Sequence, residues 1–195
     1  ESKIPAFVKP YLELTQKMAF LIAQMDKSAI KSIKIEAEGE IGDYLDSLNT
    51  FATVGALTTA LSNEKINYVN ATFIADEKNI KLDASKVANN SGYKNKVTVK
   101  ITTTNGVNSV SGTIFNEDVQ RIIAINNFIM DIEPSGKMIL VTNSDIPGVI
   151  GEVGKTLGDS SINISDFRLG RNDAGALAVI LVDNEVTKET LTKLE

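Results

Sequence analysis

The sequence predicts an α+β fold built from two successive domains. Three observations support this prediction. Apolar residues recur at helical spacing through the first third of the chain, the spacing then changes to alternation, and a strand-helix-strand-strand-helix pattern follows Pro134. We therefore expect a helix-and-antiparallel-sheet domain over residues 1–134 and a smaller domain over residues 135–195.

The first domain begins with helices. Pro10 is suited to a first helical turn, and apolar residues at helical spacing follow it: Tyr11, Leu14, Met18, Leu21, Ile22 and Met25. A half-buried strand over residues 33–37 ends at Gly39. A second helix is predicted from Tyr44 to Leu61, and a third, shorter helix from Asn70 to Lys78.

Alternating apolar residues predict the strands of the first domain. These strands run over residues 80–84, 97–101, 107–115, 119–125 and 128–132. Asn105-Gly106 is a strong hairpin signal, because this dipeptide tolerates the positive φ of a tight turn. Asn126-Asn127 tolerates the same geometry between the last two strands. The sheet is therefore expected to be antiparallel.

A linker and a second domain are predicted next. Glu133-Pro134-Ser135-Gly136 breaks both helical and strand patterns, so we place the domain boundary between residues 134 and 135. A strand from Met138 to Thr142 leads to a helix that is predicted to start at Pro147, with Asp145 as its cap and Gly158 as its terminator.

Two more strands and a helix complete the second domain. The strands cover residues 162–169 and 176–182, and Thr187 is predicted to cap the final helix. The β-α-β-β-α order matches a ferredoxin-like unit whose last strand is missing from the sequence. Because the chain starts at Glu1, without an initiator Met or a leader, we expect a fragment of a longer protein.

The composition excludes several classes of function. The chain has no His, Cys or Trp, so it offers no His base, Cys nucleophile, Cys/His zinc site or disulfide. Its net charge of -5 argues against binding to nucleic acid or an anionic membrane. No apolar stretch approaches the roughly 20 residues of a membrane span. We expect a cytoplasmic protein without a catalytic or metal site.

The best candidate site lies in residues 143–151, where polar side chains at a strand end meet the free N–H groups of a helix N-terminus. Such a corner can hold a small zwitterion, with the ligand carboxylate on the N–H groups and its ammonium facing an Asp. The alternative is that Asp145 only caps the helix. Asn163, at the next strand, either faces a ligand or is solvated.

A second candidate is a basic stripe. Lys94, Lys96 and Lys100 fall on one face of a predicted strand, and Arg121 belongs to the same sheet. A stripe of this kind can bind the phosphate of a metabolite. The simpler alternative, favoured on general grounds, is a solvated strand face that discourages edge pairing.

Several short segments stand in an order shared with a known family. They are Pro10-Tyr11-Leu12-Glu13-Leu14, Gly39-Glu40, Val69-Asn70-Ala71, Val110-Ser111-Gly112-Thr113, Arg121-Ile122-Ile123-Ala124-Ile125, Asp145-Ile146-Pro147-Gly148-Val149-Ile150-Gly151 and Ile162-Asn163-Ile164. Together they resemble the carboxy-terminal half of long-form D-3-phosphoglycerate dehydrogenases, which start serine biosynthesis. The resemblance implies an allosteric-substrate-binding domain and then, from Met138 onward, an ACT domain, a ferredoxin-like amino-acid sensor.

The resemblance also implies a ligand site. It predicts feedback binding of L-serine where two ACT domains pair, with one chain giving the strand-to-helix corner and its partner giving an Asn. Family members vary at the position of Asn143, where a bulkier His or Tyr occurs. The residues carried over are Asn143, Asp145, Ile146, Gly148 and Asn163.

The remaining implications concern the parent enzyme. It is expected to be an NAD-dependent oxidoreductase that acts on 3-phosphoglycerate, with its catalytic residues and its NAD loop in other domains. This piece is expected to be inactive alone, to hold no cofactor, and to associate as a dimer or tetramer. Two alternatives stay open: the regulatory region of an iron-sulfur L-serine dehydratase, and an interaction module without a ligand.

Overall fold

The computed structural model describes residues 4–195, which form two compact units, one running through Asn126 and the other starting at Asn127. The helices of the first unit are α1 (Val8–Met25), α2 (Leu45–Ala60) and α3 (Ala71–Glu77), with a 3-10 turn, Glu40–Tyr44, before α2. Its strands are β1 (Ile30–Glu38), β2 (Lys81–Val87), β3 (Lys96–Thr103), β4 (Val107–Phe115) and β5 (Val119–Ile125).

The sheet of the first unit is mixed. Its strands run in the order β2-β1-β3-β4-β5. The pairs β1-β3, β3-β4 and β4-β5 are antiparallel, whereas β1 and β2 are parallel, which the sequence did not indicate. Parallel neighbours need a long crossover connection, and α2 and α3 supply it. The α+β class is confirmed, with one parallel pair in the sheet.

Helices α1 and α2 cover one face of this sheet. The inward residues of β3, Val97, Val99 and Ile101, are fully buried. From α1, Leu14 and Met18 are also fully buried. The period-two pattern of β3 and most of the predicted helical face of α1 are therefore confirmed. Two members of that face, Leu21 and Met25, are only half-buried.

The second unit has its own core. Its elements are β6 (Phe128–Ile132), β7 (Lys137–Asn143), α4 (Val149–Asp159), β8 (Ile164–Asn172), β9 (Gly175–Val182) and α5 (Lys188–Lys193). Strands β7, β9 and β8 form an antiparallel sheet in that order, and β6 packs against β8. The core of the unit is formed by Ile139, Val153, Leu157, Ile162, Ala178, Ile180 and Val182.

The start of α4 differs from the prediction. The helix begins at Val149, and its N-cap is Gly148, with a φ of 96° and no side-chain cap. Asp145 is therefore not the cap. It has a positive φ of 55°, so the chain turns at Asp145 and again at Gly148 before the helix can begin. Prolines suit a first helical turn, but here Pro147 lies in the loop before the helix.

The predicted end of α4 is wrong, whereas the predicted start of α5 is confirmed. Helix α4 continues past Gly158 to Asp159, and Ser161, with a φ of 58°, adopts the left-handed conformation after it. Gly158 is therefore not the terminator. At the other helix, the prediction for Thr187 is confirmed, because its side chain accepts a hydrogen bond from the Thr190 N–H at the start of α5.

The division into units and the linker motif fall at different places. The units separate between residues 126 and 127, whereas the linker motif places a boundary between residues 134 and 135. The two divisions differ in which domain receives β6. None of the helices in residues 4–195 combines the length and apolar character needed to cross a membrane.

Candidate functional site

The candidate corner is formed where β7 ends and α4 begins. The Asn143 Oδ1 accepts a hydrogen bond of 2.8 Å from the Asp145 N–H, which closes a tight turn. The first intrahelical bond of α4 runs from the Glu152 N–H to the Gly148 carbonyl. The N–H groups of Val149 to Gly151 therefore have no acceptor within the helix. The Asp145 carboxylate thus lies in the loop that leads into these backbone donors.

Arg171, near the end of β8, is the residue that sequence reasoning missed. Its Nε and Nη2 lie 2.8 and 2.7 Å from the Asp145 Oδ2. The hydrogen bond to Asp145, and then the negative charge of that carboxylate, raise the pKa of the Arg171 guanidinium further above its usual range. The Asp145 charge is thus partly balanced within the chain.

Sheet register explains why Arg171 reaches the corner. Ala176 of β9 pairs with Asn143 of β7 on one side and with Arg171 of β8 on the other. Paired residues of an antiparallel sheet share a face, so all three lie on one face. It is the face of the core residues Ala178 and Ile180, which α4 covers.

Asn163 lies at the opposite end of the same sheet. The next residue, Ile164, pairs with Val182, whereas Asn143 pairs with Ala176. Strand residues advance by roughly 3.4 Å each, so the two ends of β9 are about 20 Å apart. Within one chain, Asn163 and Asp145 are therefore not brought together. The Asn163 Nδ2 instead donates to the Asp183 carboxylate.

The two remaining residues of the predicted ligand site lie in the corner loop. Ile146 is 60% exposed, which is high for a large apolar side chain. Gly148 adopts its left-handed conformation with open space where a Cβ would stand. The corner therefore presents a carboxylate, backbone donors and an exposed apolar side chain to solvent.

The predicted basic stripe is interleaved with carboxylates. The Lys96 Nζ lies 2.8 Å from a Glu38 oxygen, and the Lys100 Nζ lies 2.9 Å from a Glu36 oxygen. The Lys34 Nζ is also 3.3 Å from Glu36. We call these residues, Lys34, Glu36, Glu38, Lys96 and Lys100, the charge ladder. Two of the predicted anion-binding lysines are thus held in ion pairs.

Electrostatics within the charge ladder favour ionised carboxylates. The hydrogen bond from Lys100 lowers the pKa of Glu36 despite partial burial. Burial alone would raise the pKa of Glu38, which is only 5% exposed, but hydrogen bonds from Lys96 and the Asn90 N–H lower it on balance.

The other two residues predicted to bind an anion lie outside the charge ladder. Lys94 is exposed just before β3, and Arg121 of β5 pairs in register with Thr113 of β4. The four cations therefore do not form one uninterrupted row. In residues 4–195, no group of three or more acidic or other metal-ligating side chains is placed to hold a metal ion.

Comparisons with known proteins cover almost the whole chain. The family model of the D-3-phosphoglycerate dehydrogenase intervening domain matches residues 7–126, and the ACT domain model matches residues 137–195. Residues 127–136, which include β6, lie between the two matches. The domain boundary between residues 134 and 135 thus remains a proposal.

Similar proteins carry a consistent name. D-3-phosphoglycerate dehydrogenase of Bacillus subtilis is 32% identical over 91% of this chain, and the chain covers 34% of it. The enzymes of that name from Synechocystis and Archaeoglobus fulgidus are 31% and 29% identical over 84% and 96% of the chain, which covers 30% and 36% of them. The chain spans about a third of the length of these relatives. It belongs to the D-3-phosphoglycerate dehydrogenase family, and it matches that family's carboxy-terminal regulatory region, an intervening domain followed by an ACT domain.

Proposed function

We propose that this chain senses L-serine for feedback inhibition of a cytoplasmic D-3-phosphoglycerate dehydrogenase. The observation that carries the proposal is the Asp145 carboxylate at the strand-to-helix corner of the ACT domain. In the described residues its hydrogen bonds from Arg171 go to Oδ2. The other oxygen, Oδ1, therefore remains as an acceptor for a ligand ammonium group.

The chemistry of the corner suits an amino acid. A free amino acid is fully hydrated at its ammonium and carboxylate, so a site must replace those hydrogen bonds. Asp145 supplies a negative charge for the ammonium, and the N–H groups of Val149 to Gly151 supply donors for the carboxylate. The amide of Asn163 offers both a donor and an acceptor, which suits the serine hydroxyl.

The separation of Asp145 and Asn163 supports a site shared by two chains. Because the two residues lie at opposite ends of one sheet, a single copy cannot present both to one serine molecule. Two-fold pairing of ACT domains side by side would bring the Asp145 end of one copy to the Asn163 end of the other. We therefore propose self-association, as a dimer or tetramer, as a condition for sensing.

The parent enzyme is proposed to oxidise 3-phosphoglycerate to 3-phosphohydroxypyruvate with NAD. The 195 residues contain no G-x-G-x-x-G motif and no His, so this chain is not suited to hold NAD or to supply a His acid or base. Dehydrogenation is assigned to the rest of the parent. This chain contributes regulation, and it is expected to be inactive by itself.

Calorimetric titration of the chain with L-serine tests the sensing function. Asp145→Asn is the preferred variant, because Asn tolerates the positive φ at this position while removing the charge. Loss of a charge-assisted hydrogen bond should weaken binding roughly 10- to 150-fold. Asn163→Ala should also weaken binding, and D-serine should bind less well than L-serine.

The titration has a matched control. Asp159→Asn removes another exposed carboxylate, one that pairs with Lys155 at the far end of α4, and it should leave serine affinity unchanged. Equal affinity in wild type, Asp145→Asn and Asn163→Ala would remove this site. No binding of serine by the wild type would favour an interaction module without a ligand.

Assay of the full-length parent separates the two enzyme alternatives. NAD-linked oxidation of 3-phosphoglycerate is expected, as the intervening-domain match supports. Serine deamination without that oxidation would instead assign the region to an iron-sulfur L-serine dehydratase.

A further inference from the structure

The ion pair between Asp145 and Arg171 offers a ligand one negative and one positive group. Resting on the proposed amino-acid sensing at this corner, we propose that Arg171 and Asp145 form a clamp for both charged groups of an amino acid. Asp145 takes the ammonium through Oδ1, and Arg171 adds its remaining N–H groups to the helix N–H groups that receive the carboxylate. Arg171 thereby selects amino acids over simple amines.

The geometry of the pair leaves both partners with capacity. A guanidinium has five N–H donors, and the contacts with Asp145 use Nε and one N–H of Nη2. Both donors converge on Oδ2 instead of spreading over the two carboxylate oxygens. The Asp145 Oδ1 and three guanidinium donors therefore remain, and the 67% exposed side chain of Arg171 keeps those donors in contact with solvent.

The placement of the pair puts the clamp at the predicted site. Arg171 and Asn143 flank Ala176 on the face of the sheet that α4 covers, and Asn143 fixes the turn that presents Asp145. The side chain of Arg171 arises from β8, whereas Asp145 follows β7. A ligand that contacts both groups thus bridges the two outer strands of the sheet.

Charge complementarity favours a clamp over a gate, in which Arg171 would only cover Asp145 and would have to leave before a ligand binds. An amine without a carboxylate would bring a second cation to Asp145, and the guanidinium would repel it. A zwitterion brings its own anion, which can lie against Arg171 while its ammonium lies against Asp145. The four charges then alternate in sign, so Arg171 gains a partner and keeps the one it has.

Paired ligands and variants test the clamp by calorimetry at about pH 6, where the amino groups of both ligands are protonated. The ligands are L-serine and L-serinamide, in which a neutral amide replaces the carboxylate. Arg171→Ala should weaken L-serine binding roughly 10- to 150-fold but leave L-serinamide binding unchanged or stronger. Arg171→Lys, which keeps the charge and loses the fork of donors, should restore only part of the L-serine affinity.

Arg168→Ala provides the matched control, because Arg168 of the same strand pairs with Asp166 and should not alter either affinity. Circular dichroism checks that each variant is folded. Unchanged L-serine affinity in Arg171→Ala overturns the clamp, and tighter binding overturns it in favour of a gate. Equal losses for both ligands also overturn it, since Arg171 would then only position Asp145. If the wild type binds no serine, the proposed function fails together with the clamp.

Discussion

The charge ladder of the first unit and the corner of the second unit use the same chemistry in different surroundings. In the charge ladder, regular strands pair Glu38 in register with Lys96 and place Glu36 diagonally from Lys100, and the carboxylates are largely covered. At the corner, Asp145 has a positive φ beyond a strand end, and one of its oxygens remains open. Regular register closes ion pairs, whereas irregular backbone at a strand end leaves charge available to a ligand.

Replacing one glycine in each unit with Ala gives the largest expected difference between the units, measured as the loss in free energy of unfolding. A Cβ at Gly39 would lie 2.2 Å from the Lys94 carbonyl oxygen, whereas one at Gly148 meets open space. Both glycines have a positive φ. Gly39→Ala should therefore cost about 3 kcal/mol or more, from strain and overpacking. Gly148→Ala should cost only about 1 kcal/mol, from backbone strain.

Urea denaturation followed by circular dichroism measures both glycine variants. Hydrogen exchange of β3 and β9 amides assigns each loss to its unit. Similar, small losses for the two variants would contradict the idea that the first unit is closed by tight packing while the corner is open.

The ion pair of Glu38 gives the next largest effect. Lys96→Met leaves a nearly buried carboxylate without its cation, so the free energy of unfolding should fall by about 2 kcal/mol at neutral pH, below the cost of breaking a fully buried pair because Lys96 is partly exposed. Lys100→Met is the matched control. It should cost about 0.5 kcal/mol, because Glu36 retains Lys34.

The same pair predicts a pH dependence. The folded-state pKa of Glu38 is lowered, so its contribution to stability is present above the usual Glu pKa and is lost as the pH falls through the folded-state value. The difference between wild type and Lys96→Met should therefore shrink as the pH falls below the usual Glu pKa and through the lowered folded-state pKa of Glu38, because a protonated Glu38 no longer needs the cation. A difference that stays constant with pH would show that Lys96 acts through packing.

The smallest expected effect is a change in the affinity of the first unit for phosphate. Because Lys96 and Lys100 are already paired, anion binding near Lys94, Lys96, Lys100 and Arg121 should be weak and salt-sensitive. Glu38→Gln should strengthen it several-fold by releasing Lys96, and Lys96→Met should not. Titration with inorganic phosphate at low ionic strength measures this change. If neither the wild type nor Glu38→Gln binds phosphate, the basic stripe is only a solvated face.

Local signals made much of the fold predictable. The strand ranges 107–115, 119–125 and 128–132 agree with β4, β5 and β6, because Asn105-Gly106 marks the turn before β4 and Asn126-Asn127 marks the turn between β5 and β6. Asn126 and Asn127 both have positive φ. The parallel pair of β1 and β2 was not predictable, because its pairing depends on contacts across two helices.

The candidate site was predictable only in part. A polar strand end followed by Pro147 and Gly148 pointed to the corner, but the same pattern suggested a helix start two residues too early. Arg171 was out of reach, since its approach to Asp145 depends on the register across Ala176. Spacing along the chain reveals faces of single elements, whereas a site between strands needs their pairing.

Mixing two defective variants tests the central claim most directly. In a two-fold dimer that shares its sites, a pairing of Asp145→Asn with Asn163→Ala concentrates both changes in one site and leaves the other intact. Co-refolding equal amounts should therefore restore wild-type L-serine affinity in about a quarter of the sites, although each variant alone binds weakly. Calorimetric stoichiometry measures that fraction. A mixture that binds no better than the separate variants would contradict a serine site built from two chains.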